Sequence, residues 1–147
     1  MIMNLDKEFP VRIMEAIVGL VALTIGGLIY IRYRSESLLM FTWFHDLDLS
    51  DYINEIRAYK SHNGLTSWMV FSMPAGLWLF SYLLIIDSIW GKETRLFYSY
   101  FILILPIAAL TSELLQYLNV LPGTFDYLDM LSYVLATILF KILKLVV

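Results

Sequence analysis

The sequence predicts an all-α membrane protein with four transmembrane helices and an amphipathic surface helix in the first loop. Composition and charge placement carry that prediction. Of 147 residues, 60% are hydrophobic and 16% charged, at a mean hydropathy of +0.74. That leaves too little polar surface to cover a water-soluble domain of this size. Three stretches, 16–31, 63–86 and 96–112, carry no charge. A membrane-crossing helix needs about 20 mostly apolar residues, so each stretch supplies most or all of one.

The spans are expected at about 13–31, 66–88, 96–118 and 127–146, within a single integral membrane domain of residues 1–147. The fourth is the least clean, with Asp129 near its start and Lys141 and Lys144 near its end. Long basic side chains there are expected to snorkel to the interface. The first span ends in Ile29-Tyr30-Ile31-Arg32-Tyr33-Arg34. Those residues are basic and bulky where signal cleavage requires small ones, so the segment reads as an uncleaved anchor.

An even number of spans puts both termini on one side. Lys7, Arg12, Lys92, Arg95, Lys141 and Lys144 lie on that side, against Arg32, Arg34, Arg57 and Lys60 in the first loop. The positive-inside tendency then places the N and C termini in the cytoplasm and the chain in a bacterial inner membrane. Expected partners are membrane lipid and further copies of the chain. No basic cluster marks a nucleic-acid surface. The chain has no cysteine, which removes disulfides, thiolate metal sites and cysteine nucleophiles together.

The interfacial segment, 38–61, opens with Leu38-Leu39-Met40-Phe41-Thr42-Trp43-Phe44, too short to span and placing Trp43 at headgroup depth. Leu49, Tyr52, Ile53, Ile56 and Tyr59 then fall on one helical stripe, opposite Asp51, Asn54, Glu55 and Ala58. That pattern predicts an amphipathic helix on the membrane surface, with Asp48 capping its start and His62 at its end. His45, Asp46, Asp48, Asp51 and Glu55 lack the regular spacing and turn glycine of a calcium loop, so no metal is assigned. No cofactor is assigned either.

Within the spans, small residues recur four apart: Ala22 and Gly26, Ala108 and Ser112, Ser132 and Ala136. Such pairs permit close helix contact, inside one bundle or between copies. Pro74 and Pro106 each remove a helix hydrogen bond and predict kinks. At the cytoplasmic side, Arg12 with Glu15, and Asp87 with Lys92 and Arg95, are expected to form interfacial ion pairs.

The acids beyond the Lys92-Glu93 turn are more telling. Glu113, Asp126 and Asp129 stand in apolar sequence with no Lys, Arg or His between Leu96 and Phe140. A charge near bilayer depth costs at least ~2.5 kcal/mol, so three such acids are used, remotely paired or protonated. Glu113 and Gln116 share a helix face, as do Asp126 and Asp129, with Tyr133 one turn further. The Pro122-Gly123 turn returns the chain antiparallel, so these five side chains are expected to converge. Together they can bind a cation, bind a hydroxyl- or amine-bearing headgroup, or relay protons. Asp126 and Asp129 also fit the opening of a helix, where the dipole favours acids. Glu113, near the carboxyl end of its own helix, has no such reason, and Arg32 and Arg34 are its expected counter-charges.

The Glu113-x-x-Gln116 of the third span, followed by Asp126-x-x-Asp129 opening the fourth, resembles the signature of VanZ-like small membrane proteins. The resemblance covers the last two spans and extends to the second through Met73-Pro74-Ala75-Gly76-Leu77-Trp78. It implies that Glu113, Gln116, Asp126 and Asp129 are the family's characteristic polar positions. Tyr133 and Ala136 depart from the Asn and Gly of many relatives, and no Arg precedes Asp126 in the short loop. A shared fold is implied more than a shared ligand.

Three functions follow from these residues. The first is a homo-oligomeric cation-permeable pore or membrane effector with an acidic lining. The alternative is a VanZ-like envelope factor that binds a lipid-linked or glycopeptide headgroup at the outer surface. An enzyme using Glu113 or Asp129 as acid or base ranks last, because no nucleophile, phosphate-loop or metal motif accompanies them.

Overall fold

The computed structural model of the chain describes residues 5–58, 65–90 and 95–146, without the side chains of residues 5–8, 95, 96 and 146. All regular structure among them is helical: α1 (Leu5–Tyr33), α2 (Leu39–Asp46), α3 (Ser50–Ala58), α4 (Ser67–Phe71), α5 (Met73–Trp90), α6 (Arg95–Tyr117) and α7 (Tyr127–Val146). Three helices are long and apolar enough to cross a membrane: Phe9–Tyr33, Met73–Trp90 and Phe97–Tyr117. Helix α7 has the length, but Asp129, Lys141 and Lys144 set it apart from them. Outward-facing apolar side chains such as Leu20, Leu103, Ile107 and Leu139 stand more than half exposed. Such a surface suits lipid better than water.

Helix α5 is the centre of the bundle, with α1 against one side and α6 and α7 against the other. Its Leu79, Leu83 and Leu84 join Ile102 of α6 and Ala136 and Phe140 of α7 in the core. Small residues set the approach of the helices. A Cβ on Gly26 would meet the Trp78 indole at 2.8 Å, and one on Gly76 would meet both the carbonyl oxygen and Cβ of Ser132 at 3.0 Å. Ala22, Ser132 and Ala136 are buried, so the small-residue pairs of the first and fourth expected spans pack inside one chain. That of the third does not: Ala108 and Ser112 line an outer groove on α6.

The second expected span is divided. Pro74 has no N–H for the Val70 carbonyl, and its ring crowds that turn, so the helix breaks at Ser72 into α4 and α5. Pro106 leaves α6 continuous. The Tyr82 hydroxyl of α5 donates to the Phe101 carbonyl of α6, fixing the two helices together there.

The interfacial segment is likewise two helices rather than one. Asp48 does not cap α3. It adopts a left-handed φ of 58° and closes α2, with Leu49 N–H donating to the Phe44 carbonyl at 2.8 Å and its own N–H to the His45 carbonyl at 3.0 Å. Both bonds belong to a Schellman motif, in which an Asp or Asn can replace the usual glycine. The expected apolar stripe splits as a result: Ile53 is buried while Tyr52 is exposed. Tyr59, Lys60 and His62 lie outside the described residues. Arg57 docks the hairpin onto α1, donating to the Ile31 and Arg34 carbonyls and pairing with Glu36 at 3.0 Å. Hydrogen bonds from a charged donor are worth ~1.5–3 kcal/mol, so Arg57→Ala is expected to free the hairpin, measured as faster amide exchange across residues 39–58.

At the end opposite the α2–α3 hairpin, Lys144 does not snorkel. Its Nζ lies 2.6 Å from Glu15 Oε1 and 2.6 Å from Asp87 Oδ2. Tyr98 donates to Asp87 Oδ1 at 2.6 Å. The cluster thus ties α1, α5, α6 and α7 together. The expected pairing of Glu15 with Arg12 gives way to Lys144, and the Lys92 and Arg95 side chains lie outside the described residues.

Candidate functional site

Glu113 is positioned by the way α6 ends and α7 begins. Asn119, at a left-handed φ of 57°, closes α6 with a second Schellman pair: Val120 N–H to Leu115 carbonyl at 2.9 Å and Asn119 N–H to Gln116 carbonyl at 3.0 Å. The chain then turns through Gly123, at a φ of 133°. The Gln116 amide lies directly over this glycine, where an added Cβ would meet its Cδ at 2.9 Å. Gln116 therefore packs the turn. Gly123→Ala is expected to lose about 1–3 kcal/mol through backbone strain and this contact, readable as a lowered melting temperature.

The turn delivers the amino end of α7 to Glu113. Asp126 caps that end, its Oδ1 accepting the Leu128 N–H at 2.8 Å, as its position before the helix leads one to expect. The Asp126 N–H in turn donates to Glu113 Oε2 at 3.4 Å. Glu113 is only 5% exposed. At the unfavourable end of its own helix, it sits at the favourable end of the next, and the α7 dipole supplies what its sequence position lacks. The groups acting on it are the Asp126 amide and the Asp126 and Asp129 carboxylates, with no guanidinium among them.

Asp129, one turn into α7, faces the break between α4 and α5. The Ser72 hydroxyl lies beside it. Asp129 Oδ1 and Ser72 Oγ are both buried; the Ser72 hydroxyl is the donor set toward the Asp129 carboxylate, and neither atom has a further hydrogen-bond partner among the described residues. One turn further, Trp68 Nε1 donates to Ser132 Oγ at 3.1 Å, joining α4 to α7 beside the same gap. Arg34 acts on Asp129 electrostatically, although no ion pair joins them. Its guanidinium is held 5.3 Å from the Tyr30 ring and 5.2 Å from the Phe71 ring. Arg32 stands over Tyr33, 5.6 Å from its ring centre. Tyr133 packs against the apolar core, within electrostatic reach of Asp129 and Glu113.

The chain matches no family model, no curated protein and no solved structure. The site therefore stands on its own geometry. Glu113, Asp126, Asp129 and Tyr133 do converge at one end of the bundle, whereas Gln116 is spent on the turn. Ser72 and Trp68 join the site without having been singled out in the sequence. A serine two residues before a proline in an uncharged run was the available signal for the first.

Chemically, the site offers acceptors: Asp129 Oδ1 and the carboxylate of Glu113, with Ser72 able to accept or donate. A buried carboxylate with one hydroxyl beside it keeps acceptor capacity for a ligand that brings N–H or O–H groups. Among the described residues, no three His, Asp or Glu side chains gather in a metal-binding arrangement.

Proposed function

We propose that this chain is a four-span inner-membrane protein that binds an amine- or hydroxyl-bearing lipid headgroup at the end carrying Glu113, Asp129 and Ser72. The observation that carries this reading is the buried Asp129 Oδ1, which has the Ser72 hydroxyl beside it and no further donor among the described residues. A desolvated carboxylate with so few donors is under-satisfied, and a donor-bearing ligand relieves the remaining cost. Arg34, backed by two rings, adds positive charge nearby for a phosphate. In this reading α7 is the fourth span. At ~1.5 Å per residue its length suits a hydrocarbon core of about 30 Å. Two of the charges that set it apart, Asp129 and Lys144, are turned partly into the bundle rather than toward lipid. Both termini are then cytoplasmic, the site lies at the outer surface, and the chain is a VanZ-like envelope factor.

The test is thermal unfolding in nanodiscs containing phosphatidylethanolamine or phosphatidylglycerol, compared with phosphatidylcholine, whose headgroup has no N–H or O–H. Preferential binding at 100 times Kd stabilises by ~2.7 kcal/mol, so a donor-bearing lipid should raise the melting temperature. Asp129→Asn and Ser72→Ala should remove the difference. Equal stabilisation by phosphatidylcholine would contradict the proposal.

A second reading, a homo-oligomeric cation-permeable pore or membrane effector, is favoured by one feature. The outer groove of α6, about 500 Å³ and lined by Tyr100, Leu103, Ile107, Ala108, Ser112 and Leu115, is not filled by the chain itself. Its small residues allow close approach of another copy. The burial of Glu113 within one chain argues for a lining other than these acids. The number of copies in a detergent-solubilised particle separates the readings: a closed ring supports the pore and a monomer excludes it.

A further inference from the structure

The Glu15–Asp87–Lys144 cluster lies at the opposite end of the bundle from the proposed headgroup site and has an imbalance of its own. Two carboxyl groups share one ammonium, each at 2.6 Å from Lys144 Nζ. Asp87 is fully provided for, with Lys144 on Oδ2 and the Tyr98 hydroxyl on Oδ1. Glu15 is not. Only Oε1 has a donor, and Oε2 is buried with no partner among the described residues. Its side chain is 1% exposed, so bulk solvent does not reach it. The Glu15 and Asp87 carboxyls also face each other.

We propose that this cluster is a proton-binding site: Glu15 carries one exchangeable proton, Asp87 is the anion paired with Lys144, and the bound proton locks α1 against α5 and α7. With the proton in place the cluster is neutral. Its loss leaves one uncompensated negative charge buried where the helices meet, which such an interior does not tolerate. Among the described residues, the charged and titratable groups facing Glu15 are Asp87 from α5, Tyr98 from α6 and Lys144 from α7. Arg12 stands one turn earlier on α1, half-buried and without a described ion pair to the cluster, and Lys141 of α7 is exposed. Because the folded chain keeps a proton that the unfolded chain releases, stability should fall as pH rises through the release.

Infrared spectroscopy and thermal unfolding of the full chain in nanodiscs test this together. A protonated-carboxyl C=O band is expected at neutral pH. It should persist in Glu113→Gln, stay unshifted when aspartate alone is labelled with 13C, and vanish in Glu15→Gln. Glu15→Gln, which copies the protonated shape, should melt no lower than the wild type at neutral pH and lose the wild type's decline as pH rises above the ordinary glutamate range, while Asp87→Asn should melt lower throughout. The proposal is overturned by the absence of a glutamic-acid band in the wild type, by a band that belongs to Glu113, or by an aspartate-shifted band. If Glu15→Gln fails to fold, the labelled wild type and Glu113→Gln still assign the band, because a glutamic-acid band that survives in Glu113→Gln supports the proposal and one lost there overturns it. Sodium chloride titrated at fixed pH should leave the band unchanged; its loss would assign the site to an alkali cation instead.

Discussion

Lys144→Met is expected to be the most damaging single substitution in the chain, lowering stability by ~3–5 kcal/mol. Its Nζ lies 2.6 Å from both Glu15 Oε1 and Asp87 Oδ2. Removing it leaves Asp87, 6% exposed, as a buried anion facing the Tyr98 hydroxyl and the Glu15 carboxyl with no cation beside it among the described residues. The physical origin of the loss is testable by compensation. Replacing the ion pair on both sides, as Lys144→Met with Asp87→Asn, removes charge and counter-charge together and should recover most of the stability. Chemical denaturation of the two variants in one detergent gives the comparison. A double variant no better than the single one would show that Lys144 acts through packing of its stem.

Gly76→Leu is expected to follow closely, at about 1–3 kcal/mol or more, because α5 and α7 cross with no room for a side chain. The atoms an added Cβ would meet are the carbonyl oxygen and Cβ of Ser132, so backbone must move. Ser132 also accepts the Trp68 indole N–H, one turn along α7 from Asp129. The substitution should therefore lower the melting temperature and also remove any difference between ethanolamine and choline headgroups. Retention of that difference in a destabilised Gly76→Leu protein would separate the site from the α5–α7 crossing.

The helical class and three helices long and apolar enough to cross a membrane were legible because they depend on charge-free length, which is local. Residues 16–31, 63–86 and 96–112 announce themselves. Features set by backbone conformation were less so. Asp48 has the chemistry of an N-cap and is used instead in a left-handed turn, which divides one expected surface helix into two. Ser72 is unremarkable until Pro74 breaks the helix beside it and leaves its hydroxyl facing Asp129.

Long-range partners were the least legible. Lys144 and Glu15 are 129 residues apart, and nothing in their local sequence links them. Glu113 shows the same limit at shorter range. Its anomaly is resolved by the Asp126 amide, which only the path of the 118–126 turn brings to it. Among the buried polar atoms of the described residues that stay under-satisfied once these partners are assigned are Asp129 Oδ1, beside Ser72, at one end and Glu15 Oε2 at the other. The two proposals rest on those two atoms.

Both depend on α7 crossing the membrane, with the headgroup site and the proton site on opposite sides. The absence of native cysteine makes this directly measurable. Single cysteines at Ser37, Thr124 and Leu145, all exposed positions, can be treated on intact cells with a membrane-impermeant maleimide. The account predicts labelling at 37 and 124, and labelling at 145 only after the membrane is opened. Labelling of 124 and 145 from the same side would contradict it.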